Sequence, residues 1–410
     1  MKTVYVDNNA TTRVAPQVLE AMLPYFSDYY GNPSSMHSFG GDVAKKIKEA
    51  RSAVADLLGA ATEEIVFTSC GTESDSTAIR AAIRSNPDKR HIITTRVEHP
   101  AVKNLCEHLA KNGYRLTVVP VDCDGRLDTD FLIKNLSDDT AIVSVMWANN
   151  ESGVIFPIEE ISQIVKERNI IFHTDAVQAV GKIPISIGNT GVDMLSLSGH
   201  KIHAPKGIGA LYVRKGTKFS PFLIGGHQEN GRRGGTENVP AIIGLGKACE
   251  LAKGHIEEEN TRVKGLRDKL ETEVLKRIPR VVVNGDRDHR LPNTTSLGFE
   301  YIEGEAILLM MDALGICASS GSACTSGSLE PSHVLRAMGV PFTSAHGSIR
   351  FSLSIYNTEE EIDYIIENMP QIIARLRQLS PFWQDFIKKQ PAAAGQNMLS
   401  KRKPDSMTLF

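Results

Sequence analysis

Apolar residues recur along this chain in two rhythms. Short apolar runs, bounded by polar or glycine-containing turns, predict strands at 4–6, 64–68, 91–95, 115–119, 141–146, 170–173, 194–197 and 209–213. Between them apolar positions return every three or four residues, which predicts helices at 15–26, 44–58, 74–84, 101–111, 129–135 and 158–168. In the 44–58 segment Val43, Ile47, Ala50, Val54, Leu57 and Leu58 fall on one face. Regular strand–helix alternation calls for a mostly parallel sheet covered by helices.

From about residue 260 the texture changes. A charged helical pattern at 257–277 leads into short segments at 281–283, 294–299, 304–314 and 348–353, and a last helix is predicted over 358–379. This predicts a smaller α+β domain. The division expected is a large domain over 13–259 and a small one built from 1–12 and 260–387. Residues 388–410 lose all periodicity and are expected to be a disordered tail.

At 410 residues the chain is too long for one compact core and suits two domains. Its 46 basic and 48 acidic residues are interspersed and leave a net charge of −2, which argues against nucleic acid or an anionic membrane as the main partner. No apolar run reaches membrane-spanning length and the first residues lack a signal-peptide form, so the expected location is cytoplasmic. The six cysteines are scattered, with no C-x2-C pair to signal a zinc site or a disulfide framework.

The chemistry concentrates at predicted strand ends. Asp175 follows the run at 170–173 and opens Asp175-Ala176-Val177-Gln178. Lys201 lies 26 residues further on and closes Ser198-Gly199-His200-Lys201 after the run at 192–197. An acid at one strand end and a lysine at the next suit pyridoxal phosphate. The lysine holds the aldehyde covalently, and the carboxylate keeps the pyridine nitrogen protonated. Thr68 to Ser74 follows a strand and opens a helix, so its backbone N–H groups, Gly71 among them, and the Thr72 hydroxyl suit a phosphate; a plain helix cap is the competing reading. His99, in Glu98-His99-Pro100, could stack on a flat ring and move protons. Asn150 could bond a cofactor or a substrate carboxylate, or simply serve a turn. Gln178 can donate to a ring oxygen, and Ser198 and His200 can bond phosphate.

Two further segments carry signals. The glycine-rich basic stretch Gly225 to Asn238 suits a mobile loop, an anion site around Arg232 and Arg233, or a subunit contact. Cys324 sits among small polar residues from Ser319 to Ser328, unlike Cys317 with its apolar neighbours, and is the candidate nucleophile. Arg350 lies within a strand pattern and needs a partner, either a substrate carboxylate or a structural ion pair.

Taken together these segments resemble the cysteine desulfurases, pyridoxal-phosphate enzymes of the class-V aminotransferase group. The matching stretches are Tyr5 to Thr12, Gly31 to Ser35, Thr68 to Ser74, Glu98 to Pro100, Asp175 to Gln178, Ser198 to Lys201, Arg233 to Asn238 and Ser319 to Pro331. The wording around Cys70, Trp147 and His200 resembles the nitrogen-fixation branch, with the housekeeping iron–sulfur branch as the close alternative. The resemblance implies the fold type I of pyridoxal-phosphate-dependent transferases. It implies Lys201 and Cys324 as catalytic groups with His99 beside the ring. Cofactor contacts would come from Gly71, Thr72, His99, Asn150, Asp175, Gln178, Ser198, Gly199 and His200, with Thr236 reaching in from the second subunit of a homodimer. Asn150 and Arg350 would orient the substrate, L-cysteine, and an iron–sulfur scaffold protein would accept the sulfur. A persulfide on Cys324 is also the one candidate for holding a nascent iron–sulfur cluster. An aminotransferase or selenocysteine lyase on the same fold is a second reading, distinguished by the Cys324 segment. A non-catalytic scaffold is a third, and it has no need of Lys201, Asp175 and Cys324 together.

Overall fold

A computed structural model describes residues 3–320 and 331–389. Val4–Tyr5 forms a first short strand, β1. The central sheet then takes β2 (Ile65–Thr68), β3 (His91–Thr95), β4 (Arg115–Val119), β5 (Thr140–Ser144), β6 (Ile171–Asp175), β7 (Met194–Ser198) and β8 (Gly209–Val213). Their order across the sheet is β2-β8-β7-β6-β5-β3-β4. All pairs are parallel except those of β8, which runs antiparallel to both β2 and β7. Every residue of β2, β3, β5, β7 and β8 is buried, as continuous apolar runs covered on both faces require. The mostly parallel α/β architecture is therefore the one the alternation predicts; β3, β4 and β8 have the expected bounds, and the ends of the other strands differ by at most two residues.

The helices depart more. The pattern at 15–26 splits into Pro16–Met22 and Pro24–Ser27, because Pro24 cannot donate an intrahelical hydrogen bond. The charged helix expected to begin at 257 instead starts at Val239, where the Asn238 side chain accepts from Ala241 N. It runs to Glu258, passes through a π turn at Glu259–Val263 and continues as Lys264–Arg277. Gly244 and Gly246 hide its first half from propensity arguments, yet packing demands them. A Cβ on Gly246 would lie 2.6 Å from the Cα of Ala50, and one on Gly244 would lie 2.6 Å from the sulfur of Met22. The helix Ser38–Leu58 can thus lie directly against its backbone.

A second core gathers Val4 and Val6 with apolar residues from Val263 to Ile373. There β9 (Val281–Val283), β10 (Thr294–Phe299), β11 (Ile316–Cys317) and β12 (Ser348–Ser352) are found. β10 pairs antiparallel with both β9 and β12, while β1 pairs parallel with β11. Some late residues cross back: Leu291, Val334, Leu335, Met338 and Ala345 belong to the core around the large sheet. The helix expected over 358–379 is Glu359–Leu379, opened by a Thr358–Glu361 capping box. A further helix, Pro381–Lys389, takes in residues 388 and 389 of the expected tail.

Close helix packing gives a paired test. Gly246→Ala should lower stability by about 1–3 kcal/mol, since the added methyl meets backbone. Gly254→Ala, in the same helix with nothing within 4 Å of the new methyl, should raise it by about 0.5–1 kcal/mol. Urea denaturation of the two variants would read the opposite signs.

Candidate active site

Five parallel strands deliver polar groups to one edge of the sheet, the carboxyl edge at which open α/β sheets bind ligands. β2 ends at Thr68, β3 at Thr95, β5 at Ser144, β6 at Asp175 and β7 at Ser198. Lys201 follows β7 by one short 3-10 turn, Gly199–Lys201. Its Nζ donates to the backbone carbonyls of Asn9 and, at 2.8 Å, Ala10. Burial, with the like charges of Lys182 and Arg350, pushes this amine down to about 7. A lysine must lose its proton to attack an aldehyde, so this environment suits covalent chemistry at Lys201.

Asp175 is buried, and its Oδ1 accepts from Val177 N at 2.9 Å. Burial raises its carboxyl, while His99 and Lys201 pull it back. A carboxylate this dry gains more than a solvated one from a cationic N–H placed against it. Two more buried acids stand close by. Asp75 is driven upward by burial and by the Asp175 charge, and Glu98 is pushed up to about 8. Beneath them His173 is neutral, held by Ser144 Oγ at 2.9 Å and Ser196 Oγ at 3.0 Å in a ladder across β5, β6 and β7.

The segment 68–74 has features that a phosphate would need. The helix Gly71–Ser85 begins at the end of β2. A Cβ on Gly71 would meet Val177 Cγ2 at 2.9 Å and Ser198 Cβ at 3.4 Å, so only glycine lets these N–H groups approach Ser198. Ser198 Oγ is buried without a hydrogen-bond partner, and Thr72 is exposed at the same helix start. An N-terminal helix dipole, free amides and an orphaned hydroxyl make an anion cradle. Gly199 is likewise confined, since a Cβ there would lie 2.8 Å from Ile208 Cγ2. His200 Nδ1 shares a hydrogen bond with Thr11 Oγ1 at 3.1 Å, and burial pushes the ring down to about 4, so at neutral pH it offers a hydrogen bond but no charge.

Other predicted residues are already partnered. Gln178 Nε2 donates to Asn9 O at 3.0 Å, and its Oε1 accepts from Lys182 Nζ at 3.0 Å. Arg350 is 3% exposed and pairs with Asp7 at 2.7 Å while donating to Asn150 O at 2.8 Å; its Nε has no partner. The structural ion pair, left open from sequence, is therefore present. Asn150 sits in a turn organised by Asn149, whose Oδ1 accepts from Glu151 N and Ser152 N at 2.9 Å each. His99 caps the helix Pro100–Lys111 through Nδ1 to Ala101 N and lies exposed.

The 225–238 stretch lies to one side of Lys201. Arg233 pairs with Glu73 at 2.9 Å and Arg232 donates to the carbonyls of Glu63 and Ile65, so neither is free for an anion. Thr236 is exposed on a second groove with Thr68, Ser69 and Arg233, apart from the residues around Lys201. Cys324 lies outside the described residues. Among the described residues no group of three or more His, Cys, Asp or Glu side chains is placed to hold a metal ion. No helix among them is long and apolar enough to cross a membrane.

Sequence reasoning missed Asn9, Asp7 and Lys182 as site residues. Asn9 and Asp7 were visible only within a matched segment. Lys182 stands four residues after Gln178 in the apolar run Ala179-Val180-Gly181-Lys182-Ile183, a context that signals burial.

A half-buried lysine and a buried acid at adjacent strand ends, beside a helix start with an orphaned hydroxyl, are the groups an aldehyde-bearing anionic cofactor would need. Comparison with known proteins agrees. The family model for aminotransferase class-V matches residues 4–365. A cysteine desulfurase from Nostoc sp. is 63% identical over 94% of this chain and 96% of its own length. The cysteine desulfurase NifS from Azotobacter vinelandii is 60% identical over 93% of this chain and 96% of its own. A solved NifS-like protein superposes with a TM-score of 0.86 at 40% identity, covering 92% of this chain and all of that one. Another, from Rickettsia africae, gives 0.82 at 35% identity, covering 91% of this chain and all of that one. The chain belongs to the class-V aminotransferases, and within them to the cysteine desulfurases.

The lowered basicity of Lys201 predicts a labelling profile. With its ordinary value near 10.5 depressed to about 7, the amine is largely unprotonated above neutrality. In cofactor-free protein an amine-selective reagent should label Lys201 half-maximally near pH 7, with labelling rising as pH rises. Peptide mass spectrometry reads this directly, and a midpoint near 10 would show Lys201 to be solvated.

Proposed function

We propose that this protein removes sulfur from L-cysteine with the help of pyridoxal phosphate, leaves L-alanine, and holds the sulfur as a persulfide on Cys324. One observation carries the reading: a lysine amine depressed to about 7 follows the end of β7, with buried Asp175 ending the neighbouring β6 and the Gly71–Ser198 cradle beside them. The high identity to cysteine desulfurases supports it.

The residues present fit the cofactor. The amides at Gly71 and Thr72, with Ser198 Oγ, would hold its phosphate, Asp175 its ring nitrogen, Gln178 its ring oxygen and Lys201 its aldehyde carbon. When bound, pyridoxal phosphate supplies an electron sink that stabilises negative charge next to the substrate's Cα. The chain supplies the remainder. Lys201 takes the Cα proton and returns it elsewhere, which an amine near neutrality does in both directions. His99, exposed at the start of the helix Pro100–Lys111, would cover one ring face of the bound cofactor and pass protons. Arg350 and Asn150 orient the substrate carboxylate; the Arg350 Nε is the donor that Asp7 and Asn150 O leave unpartnered. The Cys324 thiolate attacks the substrate sulfur, a new S–S bond forms as Cβ–S breaks, and the proton count closes on L-alanine and the persulfide.

The active unit is a homodimer. The apolar residues Leu23, Phe26, Tyr30 and Met36, with Ile224 at 83% exposure, support a covered face, and exposed Thr236 is available to a neighbouring subunit. The sulfur acceptor is an iron–sulfur scaffold protein. The relative named NifS favours supply to nitrogenase metalloclusters over the housekeeping role.

Purified protein given L-cysteine and a thiol reductant should release alanine and sulfide in equal amounts. Cys324→Ala should keep its bound cofactor and visible spectrum yet lose sulfur transfer by about a thousandfold or more. A Cys324→Ala variant with wild-type turnover would overturn the persulfide assignment. Amino transfer to a keto acid without sulfide would move the function to transamination.

A further inference from the structure

Asn9 spends every polar atom it has. Its N–H donates to Ser352 Oγ at 2.9 Å, and its carbonyl accepts from Gln178 Nε2 and Lys201 Nζ. Its Oδ1 accepts from Lys182 Nζ at 3.3 Å and Asn293 Nδ2 at 3.2 Å. Its Nδ2 donates to Asn150 O at 3.2 Å and Thr294 Oγ1 at 2.9 Å. One of these partners, Lys182, has no part in the reaction described above. It is 5% exposed, and it also donates to Gln178 Oε1.

Lys182 is driven inward by its surroundings. Gly181 turns the chain with φ of +76°, and a Cβ there would strike Ile202 Cγ2 at 2.9 Å. Asn260 Nδ2 grips the Lys182 carbonyl at 2.8 Å. The π turn Glu259–Val263 brings Glu259 into the same interior, 6% exposed and with Oε2 lacking a hydrogen-bond partner. Such turns mark places where a helix re-aims side chains for a purpose beyond packing. Lys182, Glu259 and Lys201 line one cavity of about 40 Å³.

We propose that Lys182, acting with Asn9, is a positioning residue for Gln178 and Lys201. A lysine only donates and a backbone carbonyl only accepts. Gln178 must therefore turn Oε1 to Lys182 and Nε2 to Asn9, which leaves the second Nε2 proton for a ligand oxygen. Replacing Lys182 by an apolar residue frees the carboxamide to flip. The cation also faces Lys201 across the cavity. Lys201 feels Lys182 and Arg350 as like charges and Asp175 and Asp7 as opposite ones; Lys182 feels Glu259 and Arg350. Removing Lys182 lets Lys201 hold its proton to higher pH.

The inference rests on the reading of Lys201 as the cofactor lysine. Full-length Lys182→Met and Lys182→Arg are compared with the unaltered protein, along with Lys182→Met/Glu259→Gln, which leaves no lone buried charge. Two quantities are measured: the pH midpoint for Lys201 labelling, and the dissociation constant of pyridoxal phosphate. Lys182→Met and the double variant should raise the midpoint by about one unit and weaken the cofactor about tenfold. Lys182→Arg should stay close to the unaltered protein in both. A double variant that folds normally yet keeps both quantities unchanged would overturn the proposal. Failure of the unaltered protein to take up pyridoxal phosphate would instead sink the functional reading, and the midpoint comparison would still decide the role of Lys182.

Discussion

Desolvation of charge at the carboxyl edge of the sheet governs this molecule. Lys201, Lys182, Asp175, Asp75 and Glu98 are each pushed by burial toward their uncharged forms. Left alone, such groups would cost several kcal/mol each. Around them stands a dense set of neutral hydrogen-bonding partners: backbone carbonyls of Asn9 and Ala10, the carboxamides of Gln178 and Asn293, and the serine–histidine ladder of Ser144, His173 and Ser196. These satisfy polar atoms without adding charge. The amine is thereby kept dry and close to its unprotonated, nucleophilic form, and a carboxyl raised by burial regains its charge most readily when a cation is placed against it.

Arg350 illustrates a second use of the same principle. Its guanidinium is fixed by Asp7 and Asn150 O before any ligand arrives. In the proposed reaction, a carboxylate entering the cleft would meet a rigid donor already neutralised in part, and would gain orientation more than net attraction. That trade favours discrimination by shape and hydrogen-bond direction over tight binding.

Much of this was legible in the sequence, and the parts that were not share a cause. Strand-forming runs and their alternation with helical patterns are local, so β3, β4 and β8 fall where the residues put them. Asp175 and Lys201 were readable because strand ends project ligands outward whatever the rest of the chain does. The helix Val239–Glu258 was hidden because its glycines answer to Ala50 and Met22, far away in sequence. The partner of Arg350 is 343 residues distant, and Lys182 reads as a core anomaly until Asn9 and Glu259 are seen beside it. Arg232 and Arg233 suggested an anion site by composition, yet their partners Glu63, Ile65 and Glu73 come from a different part of the chain. Local periodicity carries elements; it does not carry the identity of a partner.

The pairing of the first strand with one of the last has a consequence for synthesis. Val4 and Tyr5 lie against Ile316 and Cys317, and Asn8 donates to Ser352 O. As the chain leaves the ribosome, β1 and Asn8 wait more than three hundred residues for these partners, although Asn9 meets Asn150, Gln178 and Lys182 sooner. The sheet and Lys201 can assemble during that interval, while the pairing of β1 with β11 and of Asn8 with Ser352, which completes the support of Asn9 and Ala10, is made only when the last part of the described chain has emerged. The last anchors of the segment around the Lys201 amine are thus a late event in synthesis.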